Sequence, residues 1–83
     1  MKFRAEIDIM PLKALLDPQG KAVSASMVNM GLPEIQNVRI GKHIHLEVDA
    51  PTEEVARQKV DQACQKLLAN QIMESYAFEL FAL

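Results

Sequence analysis

The stretch "IQNVRIGKHIHLEV", Ile35 to Val48, decides how many strands this chain assembles. In its second half Ile44, Leu46 and Val48 alternate with His43, His45 and Glu47, the period of a half-buried strand. Its first half, Ile35 to Ile40, is also rich in β-formers, and Gly41-Lys42 between the halves reads as a tight turn. A hairpin is the expectation, and with it a sheet of four strands.

Upstream, "MKFRAEIDIM" places Phe3, Ala5, Ile7 and Ile9 on one face and Lys2, Arg4, Glu6 and Asp8 on the other, and Pro11 ends that strand. From Pro18 to Met30, Ala22, Val23, Met27 and Met30 recur at helical spacing, with Gly31 as a stop. Downstream, Thr52 is a candidate N-cap with Glu53 and Glu54 in the first turn, where carboxylates suit the helix dipole. Ala56, Val60, Ala63 and Leu67, with Cys64 and Leu68 alongside, form the apolar stripe of this second helix, and Leu67 and Leu68 read as core. The last segment, "IMESYAFELFAL", is apolar on both faces, which suits a strand that is central or covered from outside. The order is βαββαβ, so the expected fold is α+β: a two-layer sandwich of a four-stranded antiparallel sheet with two helices on one face, in ferredoxin-like order, over one domain, 1–83. Its open face would carry Arg4, Glu6, Asp8, Arg39, His45 and Glu47.

Eighty-three residues hold a modest core, and a domain this small gains from burying surface in an oligomer. Nine Lys+Arg against eleven Asp+Glu, with no run of like charge, give no footprint for a phosphate backbone, so nucleic acid is not an expected partner. The N-terminus has no unbroken apolar stretch, so a cytoplasmic chain without membrane contact is expected. Cys64, the sole cysteine, lies in the helical stripe and reads as core.

Catalytic constellations are scarce. His43, His45 and Glu47 share one side of a strand about 7 Å apart at each step, a spacing a metal could use. With no other His and with Cys64 in the core stripe, nothing completes a site; the three read as an ordinary solvated face, and no metal is expected. Small ferredoxin-like phosphatases need an arginine in the loop after the first strand, where "MPLKALLDPQG" has only Lys13. Val38, Ile40, Ile44 and Leu46 supply no ring on which RNA bases stack. Ser24, Ser26 and Ser75 have no histidine beside them in sequence.

"LDPQGKAV", Leu16 to Val23, is more informative. Asp17 is a good N-cap and Pro18 suits the first helical position, yet Gly20 costs a helix about 1 kcal/mol relative to alanine. Either the helix starts after Gly20, or the missing side chain lets another backbone, a partner surface or an anion approach the first turn.

Four words in this order, "LDPQGKAV", "NVRIGK", "KLLAN" and "ESYAFEL", resemble the PurS family, the small subunit of phosphoribosylformylglycinamidine synthase, over nearly the whole chain. Relatives commonly have a proline after "LLAN" and an acidic residue before the tyrosine, where this chain has Gln71 and Ser75. The resemblance implies a non-catalytic assembly subunit in purine synthesis, in a complex that converts formylglycinamide ribonucleotide, glutamine and ATP to formylglycinamidine ribonucleotide, glutamate, ADP and phosphate. Implied partners are the synthetase subunit (PurL), which takes the ATP and magnesium, the glutaminase subunit (PurQ), and further copies of this chain as a dimer or tetramer. No cofactor is implied for the chain itself. The family words place the candidate interface on Asp17, Pro18, Gln19, Gly20, Asn37, Arg39, Gly41 and Lys42. A partner or sister chain packing on Gly20 would explain that glycine. The competing reading is a regulatory module of ferredoxin-like fold that binds a small molecule.

Overall fold

The computed structural model describes residues 1–12 and 17–83; Lys13 lies outside them. The chain runs β1 (Lys2–Pro11), α1 (Pro18–Asn29), β2 (Lys42–Asp49), α2 (Glu53–Ala63), a π-helical turn (Cys64–Leu68) and β3 (Glu74–Ala82). The sheet has three strands, antiparallel, in the order β2-β1-β3. The expected fourth strand, the Ile35–Ile40 arm of the hairpin, does not form.

The reason lies in where that arm sends its backbone groups. Asn37 takes a positive φ of 57°, which breaks an extended run. The Val38 N–H donates to Ser24 Oγ (3.1 Å) and the Ile40 N–H to Asp17 Oδ2 (3.1 Å), so these donors go to side chains at α1 rather than to a strand ladder. Gly41 is not a turn residue; it presses against the end of β1, where a Cβ would collide with the Ile9 carbonyl and the Met10 sulfur. Lys42 is already the first residue of β2, paired with Ile9.

β1 is the central strand, and its inward residues Phe3, Ala5, Ile7 and Ile9 are buried, as their alternation requires. Ile44, Leu46 and Val48 from β2 and Tyr76, Phe78 and Leu80 from β3 flank them, and Val60 and Cys64 close the core from above. Thr52 caps α2 by accepting the Val55 N–H (3.2 Å). Tyr76 ties β3 to α2 by donating its hydroxyl to Asp61 (2.6 Å). β3 is an edge strand, not a central one, and its outward Phe81 lies under the Arg4 guanidinium, 4.4 Å from the ring centroid.

Two further expectations change. Leu67 is 82% exposed instead of core. The Ala69 N–H donates to the Cys64 carbonyl five residues back (2.9 Å), and this wider turn carries Leu67 out of the stripe while Leu68 and Ala69 face the core. Leu67→Ala is therefore expected to leave stability within about 0.5 kcal/mol of the parent in a urea titration; a core leucine would cost about 2–5 kcal/mol.

The second change concerns α1. Only α2 lies over the sheet; among the described residues α1 packs on no strand to any substantial extent. The radius of gyration is 16.4 Å and the molecule is 52 Å long, against about 12 Å for the radius of a compact chain of this length. Val28, Met30, Leu32 and Ile35, at the far end of α1 and after it, are exposed.

Candidate partner interface

Asp17 joins two stretches that are far apart in sequence. Its Oδ1 accepts the Gly20 N–H (3.0 Å), which makes it the N-cap of a helix that starts at Pro18, before Gly20. Its Oδ2 accepts the Ile40 N–H, and Arg39 Nε stands 3.9 Å away. These backbone donors, Gly20 first and Ile40 second, hold the Asp17 carboxyl below the usual carboxylate range, with the Arg39 charge adding to them. Arg39 also donates to the Pro11 carbonyl, so it braces the end of β1 and is absent from the open sheet face where the sequence placed it.

Gly20 is buried in this knot. A Cβ there would collide with the Val38 carbonyl oxygen and the Asp17 carboxylate. The close approach that the glycine permits is made by the chain's own backbone, which takes the space assigned from sequence to a partner. The structure thus brings together Asp17, Gly20 and Arg39, with Gly41 against the end of β1. Pro18, Gln19 and Asn37 are exposed beside the knot, and Lys42 reaches Glu74 on β3 (3.8 Å). Sequence reasoning missed Ser24, which holds Val38. A lone serine at mid-helix carries no local signal for such a bond.

On the open face, His43 Nδ1 lies 2.6 Å from Asp8 and Nε2 lies 2.9 Å from Glu6, while His45 Nδ1 takes the other oxygen of Glu6 (2.9 Å). Glu47 does not join them; its nearest charged partner is Lys2, at 4.0 Å. Among the described residues, no group of three or more His, Cys, Asp or Glu is arranged to hold a metal ion. Cys64 is buried, and that burial pushes its thiol up from the usual value, away from nucleophilic use.

Residues 4–82 match the family described as PurS: Phosphoribosylformylglycinamidine (FGAM) synthase. This chain belongs to the PurS family. The PurS subunit of Synechocystis sp. is 44% identical over 84% of this chain and 70% of its own length, and that of Bacillus subtilis is 33% identical over 94% and 92%. Among solved structures, the PurS subunit of Thermotoga maritima superposes with a TM-score of 0.88 at 34% identity, covering 98% of this chain and 93% of that one. A chain in the structure of PurLQS from the same organism superposes at 0.89 with 31% identity, covering 98% and 99%. The PurS fold therefore includes the three-stranded sheet and the outlying α1. The family stretches Asp17–Gly20 and Asn37–Lys42 meet at the knot that anchors this helix.

Proposed function

We propose that this chain is a non-catalytic assembly subunit of FGAM synthase in purine synthesis, bridging the glutaminase (PurQ) and synthetase (PurL) subunits so that ammonia passes between their sites. The observation that carries this reading is the match to PurS along residues 4–82, together with the likeness over nearly the whole chain to a component of a PurLQS structure. The described residues agree with it: the polar side chains of the knot are spent on bracing the backbone, and Cys64 is buried. ATP and magnesium belong, on this reading, to the synthetase subunit, and this chain holds no cofactor.

Self-association is part of the proposal. An α1 held away from the sheet, with Val28, Met30, Leu32 and Ile35 in water, suits a dimer or tetramer in which further copies cover these residues. The working compartment is the cytoplasm; no helix of the described residues is long and apolar enough to cross a membrane. Light scattering after size-exclusion chromatography, with the two larger subunits mixed with and without this chain, tests the assembly role. Association of the two larger subunits only when the chain is present is the expected result. Their association to the same extent without it would refute the role.

A further inference from the structure

The open sheet face carries Arg4, Glu6 and Asp8 from β1, His43, His45 and Glu47 from β2, and Glu79 from β3, with Ala77 and Phe81 beside them. The register sets His43 opposite Asp8, His45 opposite Glu6, and Glu6 also opposite Glu79 on the other flank. Like charges directly opposite destabilise a strand pair, so the Glu6–Glu79 pair needs a cation nearby. Arg4 Nε lies 3.5 Å from Glu6 but donates no hydrogen bond. The histidines stand on the other side of that carboxylate.

His43 is distinctive because both of its ring nitrogens face carboxylate oxygens, at 2.6 and 2.9 Å. An ionised carboxylate only accepts, and a neutral imidazole has one N–H, so both contacts are hydrogen bonds only when the ring is an imidazolium. We propose that His43 is a proton-operated latch: protonated, it bridges Asp8 and Glu6 along the β1–β2 seam, and on losing its proton it releases one of them and leaves the open face more negative. Glu6, freed on that side, then faces Glu79 with the His45 contact and the Arg4 charge to offset it, and the groove between Arg4, His43, Glu79 and Phe81 changes charge.

The two ends of the latch titrate in opposite senses. Asp8 first, and Glu6 second, raise His43 above the ordinary histidine value of 6.5. The histidine contacts, His45 first and His43 second, lower Glu6 below its ordinary 4.5. A raised histidine contributes stability that is fully present below its unfolded value and is lost as pH rises through the folded one. A depressed carboxyl contributes stability that is present above its unfolded value and is lost as pH falls through the folded one. The latch is closed between these limits and opens on the alkaline side through His43.

Histidine ring-carbon NMR titration of the intact chain is the test, with Asp8→Asn and Glu6→Gln beside the parent. These side chains lie on the solvent face, so the core is untouched. The expected result is a His43 midpoint above 6.5 that moves down in each variant, and a parent melting temperature that falls with rising pH through that midpoint while His43→Gln stays flat there. A His43 midpoint at or below 6.5, or one that neither variant moves, would overturn the latch. So would an unchanged pH profile in His43→Gln.

Discussion

Replacing Gly20 with valine is expected to detach the 37–41 segment from the start of α1 and to lower stability by about 1–3 kcal/mol, the usual range for forcing atoms into a packed site. The side chain would enter space held by the Val38 carbonyl oxygen and the Asp17 carboxylate. Asp17 could swing aside only by giving up the Gly20 and Ile40 amides, and the Val38 carbonyl is backbone that moves only with its segment. Either adjustment breaks the knot. Amide hydrogen exchange reads the event locally: Val38 and Ile40, protected in the parent by Ser24 and Asp17, should exchange much faster in Gly20→Val, while Ile7 at the sheet centre stays protected. Unchanged melting together with unchanged protection at Val38 and Ile40 would show that the close approach at Gly20 does not exist.

Ile7→Ala should have the larger effect on the whole domain. Ile7 is fully buried in the central strand, opposite Ile44 on one side and Phe78 on the other, in the cluster that includes Val60 and Cys64. Loss of a large aliphatic side chain at such a site costs about 2–5 kcal/mol, because the transfer term and the residual cavity add. A domain of this size is stable by only about 4–12 kcal/mol, so much of that margin would go. Urea titration should show a lower midpoint with an unchanged slope. A loss below about 1 kcal/mol would mean that the sheet centre collapses around the gap, contrary to the packing described.

How far the sequence disclosed this molecule depended on whether each signal was local. The alternation of Phe3, Ala5, Ile7 and Ile9, the Thr52 cap, the Gly31 stop with its φ of 81° and the buried Cys64 are properties of short windows, and each is found in the structure. The Ile35–Ile40 segment failed because its hydrogen-bond partners, Ser24 and Asp17, lie well upstream, and β-propensity reports nothing about competing acceptors. Leu67 failed because the wider π-helical turn over Cys64–Leu68 re-phases the end of the helix, and an apolar stripe drawn at constant period cannot register that shift. The pattern of α1 predicts burial on the sheet, but an amphipathic face does not name the surface that provides it. Of the interface candidates, Asp17, Gly20 and Arg39 were found as words of the sequence; their joining into one knot required the fold.

The bridging role is tested most directly by turnover. The larger subunits are assayed with and without this chain, once with glutamine and once with free ammonia as nitrogen donor. Formylglycinamidine ribonucleotide should form from glutamine only when the chain is present, and from ammonia in its absence. Equal glutamine-dependent turnover with and without the chain would refute the bridging role.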